Sequence, residues 1–175
     1  MMEDKKKIAE LIKGIKSKDE NTVLNTVKQI REKGSTAILP ELIYLLNNTN
    51  SNDIKKTTTN ILNDLKDNKA VPHIIEAIKN EQFSNIKHTL ISSCWQSGLD
   101  YSKDINIFVD QIIKSDFSLA FEAFTVIENM QDNISKDIII PELEKIDISL
   151  KNEKNKEKQM LLNELIKLFQ EIISD

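Results

Sequence analysis

Residues 71–78 read VPHIIEAI, and their large apolar side chains are Val71, Ile74, Ile75 and Ile78. The offsets i, i+3, i+4 and i+7 place these four side chains on one face of an α-helix. Related apolar sets begin at Ile8, Leu39, Ile105 and Ile139, so that successive starts lie 31 to 34 residues apart. Repetition at this interval is typical of a solenoid, in which each repeat covers the hydrophobic face of its neighbour.

A second helical pattern lies between these sets. Its clearest copies begin at Ile54 and Leu161, and weaker copies begin at Val23, Ile86 and Ala120. Each repeat is therefore predicted to be a hairpin of two helices, A and B. We expect an all-α fold, a right-handed α-α superhelix of about five hairpins that forms one domain over residues 1–175. The predicted hairpins cover approximately residues 3–34, 36–67, 69–98, 102–132 and 135–174.

Glycine, asparagine and proline fall where such helices should begin and end. The B helices are expected to stop near Gly34, Asp67-Asn68, Gly98 and Asp132-Asn133, because these residue types tolerate the left-handed conformation that closes a helix. Pro40 and Pro72 follow the first apolar residue of their A helices, where a missing N–H costs little. Gly14 is an exception, since a glycine inside a helix costs about 1 kcal/mol relative to alanine.

One part of the chain resembles a known repeat. Asp53-Ile54-Lys55-Lys56-Thr57, then Leu62 and Leu65, then Asp67-Asn68-Lys69-Ala70-Val71-Pro72 are similar to the short HEAT repeat of phycobilisome-lyase-type and other bacterial HEAT proteins. That repeat typically reads Val-Arg, small residues, Leu, a Gly-Asp turn and Ala-Val-Pro. Lys55 stands here in place of the usual arginine, and threonines replace alanines. The resemblance is good over residues 50–80, fair over 19–46 and 82–98, and only periodic beyond 99.

The resemblance implies a HEAT or armadillo-like fold, which hosts scaffolds, inhibitors, lyases and a few DNA glycosylases. Motifs for catalysis and for cofactors are missing from the sequence. Its three glycines are too isolated to form a phosphate-binding loop, and its two histidines and one cysteine are too few for a usual zinc site. Cys94 occupies an apolar offset and is predicted to be a buried thiol. We therefore expect no enzymatic activity, no cofactor and no metal.

Charge is unevenly distributed along the chain. Residues 1–34 carry 9 basic and 6 acidic groups, residues 35–97 carry 6 of each, and residues 98–175 carry 9 basic and 16 acidic groups. A duplex-binding protein needs a basic face, and none is evident. The charged start has no apolar core of a secretory signal, and no apolar run is long enough to cross a membrane. These features and the single cysteine predict a cytoplasmic protein that binds neither nucleic acid nor membrane.

Aromatic residues concentrate between residues 83 and 124. Phe108 and Phe124 fall at predicted core offsets, whereas Trp95 lies one step beyond a core position and Phe121 takes the slot that Lys55 occupies in an earlier repeat. In proteins that this chain resembles, B helices usually line the concave face. We expect a non-enzymatic adaptor that binds an unknown protein or peptide on the concave face of repeats 2 to 4. The candidate contact residues are Trp95, Tyr101, Phe117 and Phe121. A thicker local core would also account for these rings.

Two other functions stay open from the sequence. One is a HEAT-type lyase or nucleic-acid-modifying enzyme, which would need basic B-helix faces or a His/Asp pair. The other is a self-assembling structural subunit. The last helix carries a second apolar stripe, namely Leu162, Ile166, Phe169 and Ile173. Either this stripe packs against the last A helix and the preceding B helix, or two copies form a homodimer through it.

We predict that the protein forms no complex with nucleic acid. The net charge of −4 and the acidic C-terminal half should repel phosphates. A gel-shift with duplex DNA and with RNA, at about 100 mM salt and micromolar protein, should show only free nucleic acid. A discrete, salt-sensitive complex would favour the nucleic-acid-modifying alternative instead.

Overall fold

The structure, a computed structural model, describes residues 2–33 and 36–174, with side chains over 5–31 and 36–174. Gly34, one of the predicted helix stops, lies outside these ranges. Within them the chain forms no β-strand and ten α-helices, which confirms the all-α prediction. The helices are α1 (Met2–Ile15), α2 (Glu20–Lys33), α3 (Leu39–Asn48), α4 (Asn52–Asn63), α5 (Val71–Lys79), α6 (Lys87–Ser97), α7 (Ile105–Lys114), α8 (Phe117–Asn129), α9 (Lys136–Asn152) and α10 (Lys156–Ser174). No helix in the described part of the chain combines the length and hydrophobicity needed to cross a bilayer.

The contacts divide the chain into two compact units, Met1–Ser97 and Gly98–Asp175. We call them unit 1 and unit 2. In unit 1, α1 packs on α2, α3 on α4 and α5 on α6, while α1, α3 and α5 form one row and α2, α4 and α6 another. In unit 2, α7 packs on α8 and α9, and α10 packs on α8 and α9. The sequence predicts a single domain over residues 1–175. The division into two units does not test that prediction, so it stays a prediction.

The apolar sets that predict the A helices form the core of each unit. The sets in α3, α5 and α7 are completely buried: Leu39, Leu42, Ile43 and Leu46; Val71, Ile74, Ile75 and Ile78; Ile105, Phe108, Val109 and Ile112. In α4 of unit 1, Ile54, Ile61 and Leu62 are buried as the second pattern predicts. Burial of each large aliphatic side chain contributes about 1.5–3 kcal/mol, so these sets supply most of the stabilisation.

Some of the predicted helix starts and stops agree with the structure and others do not. Helices α4 and α8 end at Asn63 and Asn129, before the predicted stops at Asp67-Asn68 and Asp132-Asn133, and no described residue other than glycine has a positive φ, so the left-handed closure predicted at those two stops is wrong. Pro40 and Pro72 lie in the first turns of α3 and α5. Gly98 follows the last residue of α6 with φ of +67°, the left-handed conformation that favours glycine.

A buried lysine ties the last two helices of unit 2 to the turn between α7 and α8. Lys158, in the first turns of α10, donates through Nζ to the backbone oxygens of Ile113 at 2.7 Å and Ser115 at 2.6 Å. It also lies 3.4 Å from a carboxylate oxygen of Glu153. A cation is favourable at the C-terminal end of a helix, where carbonyls lack intrahelical partners. Lys158 therefore caps α7 and fixes the start of α10 beside the start of α8.

Gly14 has a packing reason that the sequence does not reveal. A Cβ atom at this position would lie 2.3 Å from Thr26 Oγ1 and 2.8 Å from Thr26 Cγ2. Thr26 is held in place because its hydroxyl donates to the Thr22 carbonyl oxygen at 2.7 Å, and because β-branched side chains are stiff. The glycine thus permits close contact between α1 and α2.

We predict that Gly14→Ala lowers the free energy of unfolding by about 1–2 kcal/mol, because the clash with Thr26 outweighs the better helix propensity of alanine. In a Thr26→Ala background the same substitution should be neutral or stabilising by up to about 1 kcal/mol. Urea unfolding followed by circular dichroism measures all four proteins. If Gly14→Ala lowered the free energy of unfolding equally in both backgrounds, the contact with Thr26 would not be the reason for a glycine at this position.

Candidate functional site

Helix α8 has a buried face of mostly small side chains. Ala120, Ala123, Val126 and Ile127 are almost completely buried, and α8 packs against α7 and α10. The helix begins at an N-cap, since Asp116 Oδ1 accepts a hydrogen bond from the Leu119 N–H at 3.0 Å. The small residues let α8 approach its neighbours closely, and Phe117, Phe121 and Phe124 lie on the adjacent face, about 40–100° around the helix axis from Ala120.

Beside its buried face, α8 carries an aromatic stripe. Phe121 is 51% exposed, and Phe117 and Phe124 are half-buried. The Phe117 and Phe121 ring centroids lie 6.1 Å apart with 37° between the ring planes, within the range of a stabilising aromatic pair. We call the residues of this stripe, Phe117, Phe121, Phe124, Thr125 and Glu128, the α8 face. A surface helix normally presents polar side chains to water, and the α8 face reverses that rule at three positions.

Phe124 is not the core residue that its offset predicts. The helical spacing assigns it to the buried stripe, but Val126 and Ile127 occupy that position and Phe124 turns partly outward. The sequence did carry a signal for this: positions 117, 121, 124 and 128 follow the offsets i, i+4, i+7 and i+11 of a single helical face.

The sequence in and around α8 is acidic. Between Lys114 and Lys136 the sequence contains Asp116, Glu122, Glu128 and Asp132 and no basic residue. Glu128 and Asp132 are exposed and form no ion pair with a described residue. Unit 2 as a whole has 9 basic and 16 acidic residues, a formal charge of −7, whereas unit 1 carries +3. The α8 face is therefore an apolar surface with a negative rim.

Trp95 lies in unit 1, on the exposed side of α6, and is 36% exposed. Its neighbour Gln96 accepts a hydrogen bond from Asn63 Nδ2 at 2.7 Å and donates to Ser92 Oγ at 2.7 Å. These bonds link α4 to α6 beside the indole. Trp95 is thus an accessible aromatic ring on a B helix, as a contact residue must be.

The prediction that Tyr101 contacts a partner is wrong. It is only 1% exposed, and its ring packs edge-on against Phe108 with a centroid separation of 5.8 Å and an interplanar angle of 83°. The preceding turn is fixed by Ser102, whose hydroxyl and N–H bond to Asp100 and hold the pKa of that carboxyl below its usual range. Tyr101 therefore belongs to the core of unit 2 and cannot contact a partner in this conformation.

The second stripe of α10 is also covered within the chain. Leu162 and Phe169 are completely buried, and Ile166 and Ile173 are half-buried. The covering elements are α8 and α9, both of which pack on α10. The large apolar surface that motivated a homodimer through these four residues is therefore not present.

Within the part of the chain that the structure describes, no group of three or more His, Cys, Asp or Glu residues could hold a metal ion. Cys94 is buried, as predicted, and lies 3.3 Å from the Leu90 carbonyl oxygen. A cavity of about 550 Å³ in unit 1 carries the Arg31–Asp64 ion pair of 2.7 Å on its edge. Both side chains of that pair are more than half exposed, so its contribution is about 1 kcal/mol or less.

Comparison with known proteins gives no match to a protein-family model, and no curated protein matches the sequence significantly.

We predict that Phe121→Ala lowers the free energy of unfolding by about 1 kcal/mol or less, since half of the side chain is already in water. Tyr101→Ala should cost about 3–5 kcal/mol, because it leaves a cavity in the core of unit 2. Urea unfolding of the wild type and of both variants measures these changes in the free energy of unfolding. A loss for Phe121→Ala as large as for Tyr101→Ala would show that the α8 face is part of the core.

Proposed function

We propose that the protein is a non-enzymatic adaptor, a right-handed solenoid of HEAT-like hairpins that binds a protein or peptide partner through the α8 face. The row-by-row contacts of α1, α3 and α5 and of α2, α4 and α6, together with the repeat interval, support a solenoid. A cytoplasmic location suits a chain with one buried cysteine.

The observation that carries the proposal is the exposure of Phe121 beside Phe117 on a helix that is otherwise well packed. Aromatic side chains are enriched among the residues that dominate binding energy, and they contribute most when a partner removes them from water. Their rigid rings also lose little conformational entropy when a partner binds. Phe121 is difficult to explain by stability alone, because half of its side chain lies in water and a lysine at this position would be better solvated.

Trp95 is the second proposed contact residue. It is an accessible aromatic ring on the exposed side of α6 in unit 1. Phe117 contributes as the neighbour of Phe121, while Tyr101 is excluded because it is buried.

The test uses a phage-displayed library of random helical peptides selected against the native protein. Peptides that bind should lose at least about 2 kcal/mol of binding free energy, roughly 30-fold in Kd, on Phe121→Ala, and Trp95→Ala should have a similar effect. Ile140→Ala is the matched control, because Ile140 is an equally exposed apolar residue on α9. Circular dichroism melting confirms that each variant is folded.

Recovery of no binder, or of binders indifferent to both Phe121→Ala and Trp95→Ala, would contradict the proposed function. If only Phe121→Ala weakens peptide binding, the result supports the α8 face and shows that Trp95 is not part of the binding site.

A further inference from the structure

We propose that the α8 face binds a basic amphipathic helix, a partner segment that carries large apolar anchors on one face and lysine or arginine around them. The inference rests on the proposed function and adds the chemistry of the partner. It follows from the length of the face, the chemistry of its rings and the sign of its rim.

The length of the face matches a helical partner. Phe117 to Glu128 spans 11 residue steps, so the stripe extends about 16 Å, or three helical turns. A partner helix laid alongside would meet the rings with side chains at i, i+4 and i+7, the usual spacing of helix-in-groove recognition. Three anchors are enough to cover three phenylalanines.

An extended or proline-rich peptide suits the face less well. Strand addition requires the open edge of a β-sheet, and the described residues contain no strand. A polyproline segment has no internal hydrogen bonds, and its carbonyl groups need donors from the groove. Phenylalanine has no donor, so Phe117, Phe121 and Phe124 offer none. A helix satisfies its own backbone groups and needs only apolar contact.

The rim selects for positive charge. Asp116 lies at one end of the face, Asp132 follows its other end, and Glu122 and Glu128 belong to α8 itself. The flanking lysines are engaged elsewhere, because Lys114 pairs with Asp110 at 2.7 Å and Lys136 donates to the Ile173 carbonyl oxygen at 2.9 Å. Rim charges chiefly raise association rates and discriminate against like-charged partners. An acidic helix would therefore meet repulsion at both ends of the α8 face, from Asp116 at one end and from Glu128 and Asp132 at the other.

The experiment compares two synthetic helices of about 14 residues by fluorescence anisotropy. Both carry leucine at i, i+4, i+7 and i+11; one has lysine at the flanking positions and its twin has glutamate there. At about 50 mM salt the lysine peptide should bind at least tenfold more tightly, and at about 500 mM salt the difference should narrow to about threefold because salt screens exposed charges.

Charge-reversal variants locate the effect. The double variant Glu128→Lys with Asp132→Lys should weaken binding of the lysine peptide about tenfold and strengthen binding of its glutamate twin. The matched control, Glu144→Lys with Asp147→Lys, makes the same change in net charge at exposed positions of α9 and should change either affinity by about twofold at most.

The outcomes separate this inference from the proposed function. If both peptides bind equally and Phe121→Ala weakens both, the proposal of a basic partner is wrong and the adaptor function stands. The same holds if only uncharged peptides from the library bind through Phe121.

If the lysine peptide binds Phe121→Ala as well as the wild type, the contact is general attraction to unit 2 and both proposals fail. Both also fail if the α9 control weakens binding as much as the α8 variant.

Discussion

A helix with four large apolar side chains on one face cannot shield them with its own backbone, and that constraint governs this chain. Each apolar set in α3, α5 and α7 requires cover from neighbouring helices. In unit 1 the rows of A and B helices cover α3 and α5, and in unit 2 α8 and α9 cover α7. The close contact of α1 with α2 at Gly14, the small buried residues of α8 and the capping of α7 by Lys158 all keep neighbouring helices close enough to exclude water.

The proposed function depends on side chains that the packed core leaves at the surface. Unit 2 illustrates this, because its four helices bury Leu162 and Phe169 of α10 and yet leave three phenylalanines of α8 partly or largely in water. The same unit concentrates the acidic residues of the chain. An apolar stripe within a negative rim is poor at attracting nucleic acid or an acidic surface, and well suited to a basic helix. The packed helices of unit 2 thus leave an aromatic stripe on α8, and the proposed function assigns that stripe to a partner.

Much of the fold could be predicted because apolar spacing reports burial directly: Leu42, Ile74 and Phe108 lie where the period places them. The error at Tyr101 arose where the regular period is interrupted, because Tyr101 follows the end of α6 in an irregular turn and packs edge-on against Phe108. For the second stripe of α10 the sequence left two arrangements open, and the structure has the one in which α8 and α9 cover Leu162 and Phe169. Phe124 is partly exposed because Val126 and Ile127 fill the buried side of α8. Periodicity identifies a helical face, but it does not determine how many neighbours cover that face.

The central claim is that a closed helical core leaves the α8 face open to solvent. Hydroxyl-radical footprinting with mass spectrometry tests it within one sample, since phenylalanines of both kinds occur in the same chain. Phe121 should be oxidised at a rate close to that of phenylalanine in a short peptide, while Phe108 and Phe169 stay protected and Phe117 and Phe124 are intermediate. Protection of Phe121 to the same extent as Phe108 would contradict the account, because the rings assigned to a partner would then belong to the core.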